Sequence, residues 1–187
     1  MTARSALGVG LFILLASPTC VRHLESVLTT HLTVQLPALV AVGILLAPRS
    51  ARGTPGSGHG GPGIAWAISG ALFFMLPRSM DDAVQHAWFD AIKFAWLPLC
   101  VGVPLARGWA RISAVARGFL LANLLSMLGV LGWLYATAPV RFCNNYLQGD
   151  QQRTGHILLG IASGLALWLV LRAFVPRPRR RISASVC

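Results

Sequence analysis

His23, His31, His86 and His156, with Asp82, Asp90 and Cys143, are the side chains in this sequence whose types suit metal ligation. Imidazole and carboxylate bind copper, zinc or iron, and imidazole with thiolate suits copper or zinc. The closest spacing lies in DDAVQHAWFDAIKFAW, residues 81–96. On one continuous helix, Asp82, His86 and Asp90 fall at i, i+4 and i+8, and Lys93 joins their face. Val84, Trp88, Ile92 and Trp96 form a second, apolar face. Asp90 and Lys93, three residues apart, can pair directly. Copper is the leading metal. Haem is the alternative, with His31 and His156 as axial ligands from two helices. A quinone is a further one, its carbonyl accepting from His86 or His156.

Other chemistry is scarce. No nucleophile elbow, P-loop, zincin helix or dinucleotide fingerprint is present. The four cysteines, Cys20, Cys100, Cys143 and Cys187, show no CxxC spacing. Cys20 and Cys143 have three alternatives: a disulfide, two free thiols or copper ligation. Cys100 reads as core. The segment RFCNNYLQGDQQRTGH, 141–156, is the most polar loop and a candidate for docking a partner. Asn123 and Ser126, within an apolar run, read as interhelical hydrogen-bonding groups.

These residues must be positioned by a membrane protein. The chain has 187 residues, 55% hydrophobic and 11% charged, with mean hydropathy +0.65. A soluble domain is about one-quarter charged. A bilayer core of about 30 Å needs roughly 20 apolar residues per helix. The run Ala6–Ala16 reads either as a cleaved signal or, preferably, as a retained first span reaching about Val21. Further spans are expected at Leu28–Ala47, Ile64–Leu76, Ala83–Ala106, Gly118–Ala138 and His156–Val175. The third is short unless Gly61–Gly63 or Pro77 lies in the membrane. Pro98 and Pro104 should kink the fourth. Gly160 and Gly164 in the sixth form a close-packing signal. The expectation is an all-α, polytopic membrane helix bundle of about six transmembrane helices, a single integral domain over 1–187. Residues 48–63 form a Gly/Pro-rich cytoplasmic loop, and 176–187 a basic cytoplasmic tail suited to anionic lipid headgroups.

The net charge of +11 follows from topology. With the N-terminus inside, Arg4, Arg49, Arg52, Arg107, Arg111, Arg117 and the arginines at 177–181 gather on the cytoplasmic side, and Arg172 lies near them. Only Arg22, Arg78, Arg141 and Arg153 lie opposite. No soluble basic domain remains to bind nucleic acid. All five acidic residues, and His23, His31, His86 and His156, fall at the outer, periplasmic end of a bacterial inner-membrane protein. Asp90 and Lys93 should therefore face the bundle or each other.

The stretch HLESVLTTHLTVQLPALVAVGILLAP, 23–48, resembles the histidine-bearing helix entrances of the CtaG family of cytochrome c oxidase assembly proteins. There, a His-rich segment leads into an apolar, proline-containing helix; here His23, His31, Gln35 and Pro37 stand in that arrangement. Leu24 and Leu32 follow the histidines, so His-Met pairs are absent. The resemblance implies a part in copper delivery or assembly of a respiratory oxidase, with His23 and His31 as the residues carried over. The leading expectation is a non-enzymatic accessory protein binding copper at its outer face. The alternative is an integral subunit of an electron-transfer complex that binds haem or quinone. A small transporter is weaker, because no inverted repeat is visible.

Overall fold

A computed structural model of the chain describes residues 3–48, 60–142 and 145–174, and every regular element among them is helical. Most of the loop at 48–63, the basic tail at 176–187, His59 and Cys143 lie outside the described residues. Eight helices follow in order: α1 (Ala3–Ala16), α2 (Pro18–Glu25), α3 (Leu28–Leu46), α4 (Gly61–Met75), α5 (Pro77–Gln85), α6 (Ala87–Gly108), α7 (Ala114–Thr137) and α8 (Gln148–Phe174). Helices α3, α6, α7 and α8 are each long and apolar enough to cross a membrane. Large apolar side chains such as Phe119, Trp133, Trp168 and Phe174 are exposed, as a lipid-facing surface requires. The chain is a membrane protein.

Two bent pairs, α1 with α2 at 68° and α4 with α5 at 70°, bring the number to six if each pair is one broken span. Each bend has the same local cause. Ser17 and Leu76 precede prolines and are extended, at ψ 136° and 135°. A proline disfavours the helical region for the residue before it and is itself well placed to start the next helix. The Ser17 hydroxyl then caps α2 by accepting from the Cys20 amide. The first helix therefore stops at Ala16 instead of continuing straight to Val21. Residues 61–63 belong to α4, so the third span is longer than expected. The α8 helix starts at Gln148, about two turns before His156, so half of the expected polar loop is helix.

The prolines of α3 and α6 widen the helix instead of interrupting it. His31–Gln35, just before Pro37, and Leu97–Gly102, which contains Pro98, are π-helical turns. A proline has no N–H to give to the preceding turn, and a local wider turn reroutes the bonds that remain. The two helices cross at Gly43 and Gly102. A Cβ on Gly43 would meet the Pro98 carbonyl and lie 2.8 Å from the Gly102 Cα. One on Gly102 would meet the Val40 carbonyl and lie 2.7 Å from the Gly43 Cα. Backbone touches backbone there, which only glycine permits.

Helices α1, α3, α4 and α6 form the body, with α3 the most buried of the long spans. Leu28, Leu39, Val42 and Leu97 lie in its core. Helices α7 and α8 form an antiparallel hairpin that packs mainly on itself. Its close approach is at Gly132 and Gly155: a Cβ on Gly155 would lie 2.7 Å from the Gly132 carbonyl oxygen and 2.8 Å from the Tyr135 carbonyl carbon. Gly160 and Gly164 have open space at their Cβ positions, so the expected packing signal is not the one the fold uses. Asn123 points outward and bonds back to the Phe119 carbonyl of its own helix at 3.3 Å, and Ser126 is exposed; neither bridges helices here. Gly155→Leu is expected to lower the stability of the detergent-solubilised chain by about 1–3 kcal/mol. Gly160→Leu should leave its thermal midpoint unchanged.

Candidate functional site

The polar groups of the expected outer end do meet. Glu25, the last residue of α2, and Lys93, on the second turn of α6, form an ion pair of 2.5 Å. Asp90, one turn earlier on α6, holds the same ammonium at 2.7 Å. The Lys93 side chain is 1% exposed, Glu25 11% and Asp90 21%. The Gln35 amide Nε2 donates to Glu25 Oε1 at 3.0 Å, and Gln35 is fully buried. Carboxylates of α2 and α6 thus meet on one ammonium, and Gln35 of α3 braces the first of them. A lone ammonium in a bilayer is costly, and this one is matched by two carboxylates.

One turn before Gln35, His31 is also fully buried. Its Nδ1 lies 3.1 Å from the hydroxyl of Tyr146, itself buried, and the two rings meet edge to face at 6.3 Å. Its Nε2 has no hydrogen-bond partner among the described residues. The Oε1 of Gln35 shares that condition. Both belong to the π-helical turn His31–Gln35, and each side chain is held by its other polar atom. Wide turns of this kind are frequent at working sites.

The segment before α8 and its first turns join this end to the hairpin. The Asp150 carboxylate accepts from the Leu28 amide at 3.1 Å, filling the role of the missing side-chain cap at the start of α3. Thr29 and Thr154 hydroxyls meet at 2.8 Å. The Asn145 side-chain amide donates to the Asp81 carbonyl at 3.1 Å. Gln151, 2% exposed, accepts from the Phe142 amide and donates to the Val140 carbonyl. Asp150 and Gln151 are thus hydrogen-bonded within the chain, while Gln152 is exposed.

Several expected site residues separate. The helix breaks at His86, which is extended at φ −124° and ψ 111°, so Asp82 lies on α5 while Asp90 lies on α6. The stripe Asp82–His86–Asp90 does not exist as one helix face. The segment 77–85 is polar, and the helix is interrupted at His86 before the apolar run of α6 begins. His86 is exposed and stacks on Trp88 at 6.2 Å. His23 and His156 are exposed on α2 and α8, and Asp82 is half-buried. His31 and His156 therefore do not face each other as a buried axial pair. Cys20 is a free, half-buried thiol. Among the described residues no three of His, Cys, Asp and Glu gather as a metal-holding group. Asp90 and Lys93 do pair, as their spacing predicts.

Glu25 and Tyr146 are the participants that sequence reasoning passed over. A signal for Glu25 was present: the chain has one lysine and one glutamate, and a buried ammonium requires a counter-charge. Tyr146 had no such signal, since its role depends on a fold-back over more than a hundred residues. Comparisons with protein-family models, with curated proteins and with solved structures found no match.

Proposed function

We propose that this protein is a non-enzymatic accessory protein for a respiratory-chain metal centre in a bacterial inner membrane, and that it binds copper through His31. The observation that supports this reading is the state of that imidazole: Nδ1 is held by Tyr146, and Nε2 has no hydrogen-bond partner among the described residues. Metal-ligating histidines are oriented in this way, with the second nitrogen fixed by a hydrogen bond. A Tyr146 hydroxyl that accepts from Nδ1–H leaves the Nε2 lone pair for a metal. The site is narrower than the set expected from sequence. Asp90 is engaged by Lys93, and His23, His86, His156 and Asp82 stand apart. One imidazole suits a transfer role, in which an oxidase subunit or other partner completes the coordination. Cys143, three residues before Tyr146 in sequence, is the soft donor to test with it.

The test is copper(I) loading of the purified full chain, measured as metal per chain. His31→Ala should abolish loading, and Tyr146→Phe should weaken affinity about 10–100-fold. His23→Ala, His86→Ala and His156→Ala should load as the parent does. Unchanged copper in His31→Ala would sink the proposal. A Soret band in the purified protein would instead favour the electron-transfer subunit.

A further inference from the structure

We propose that Glu25, Asp90 and Gln35 hold one monovalent alkali cation beside Lys93. This site is independent of the copper reading and uses different atoms. The argument starts from charge. Two carboxylates and one ammonium leave the cluster with a net charge of −1. Its members are largely withdrawn from water, so the surplus is expensive until a further positive charge joins it.

The second observation is the Gln35 amide. Its Nε2 donates to Glu25 Oε1, so its carbonyl oxygen is held at the edge of that same carboxylate. That oxygen is fully buried and has no partner among the described residues. An acceptor placed beside a carboxylate meets a cation well and an anion badly. The donors on offer are all oxygen: one amide carbonyl and two carboxylates. Oxygen donors suit hard cations, whereas the His31 imidazole suits softer metals. The charge selects among hard cations. One positive charge brings the cluster to neutrality, and a divalent ion would overshoot. Asp90, the most exposed of the three charged groups, provides the way in.

The experiment is thermal unfolding of the full chain in detergent, with NaCl exchanged for choline chloride at constant total salt. The midpoint of the parent should rise saturably with Na⁺, since an ion that binds only the folded state stabilises it by mass action. Asp90→Asn makes the cluster neutral while leaving Glu25 and Lys93 paired, and the Na⁺-dependent shift should disappear. Gln35→Met removes the carbonyl oxygen at similar volume and should weaken Na⁺ at least tenfold. A parent midpoint that is flat in Na⁺ overturns the proposal, as does an undiminished shift in both variants. A midpoint that rises on acidification but ignores Na⁺ assigns the spare charge to a proton and overturns it equally.

Discussion

Lys93→Met is expected to cost about 3–5 kcal/mol. Its ammonium is 1% exposed and touches both Glu25 and Asp90. Removing it leaves two carboxylates facing each other in a poorly hydrated pocket. The cost is then the unpaired negative charge, more than the lost attraction. The distinguishing comparison is the triple variant Lys93→Met, Glu25→Gln, Asp90→Asn. It removes all three charges, and most of the lost stability should return, because desolvation and attraction nearly cancel in buried pairs. Thermal unfolding in one detergent measures both. If the triple variant is no more stable than Lys93→Met alone, the account based on stranded charge fails.

The second large effect is expected at the crossing of α3 and α6. Gly43→Leu forces a side chain into the Pro98 carbonyl and the Gly102 backbone, and neither is a flexible side-chain end that could swing away. The helices must separate. Overpacking of a tight core costs about 1–3 kcal/mol and occasionally more, and a backbone contact has less room to yield than most. Gly102→Leu should act alike, since each glycine packs on the other's Cα. Because they share a partner, the double variant should cost less than the two singles together. Strict additivity would mean that the helices do not meet at this point.

Much of the architecture could be read from hydropathy: the long apolar runs become α3, α6, α7 and α8, and the polar ends of several spans do come together. The Asp90–Lys93 pair was legible because i, i+3 spacing is local to one helix. Its third member was not, since periodicity says nothing about which helices are neighbours. The Asp82–His86–Asp90 stripe failed for a related reason. A helical period was extended across a boundary between polar and apolar sequence, where the backbone turns. The bends at Ser17 and Leu76 follow from the prolines behind them. Gly43 and Gly102 belong to helices far apart in sequence, so no spacing rule links them. The GxxxG pattern at Gly160 is a local signal that this fold leaves facing outward.

The α7–α8 hairpin is tied to the body at its loop end by Asp150 with Leu28, Thr154 with Thr29, Tyr146 with His31 and Asn145 with Asp81. Mechanically, that joint lies at the short end of a long lever. The 27 residues of α8 extend about 40 Å from the joint. A rotation of about 10° there would swing the Phe174 tip by about 7 Å, from the length alone. A rotation begun at the imidazole–phenol contact would therefore move the far end of α8 much more than the joint itself.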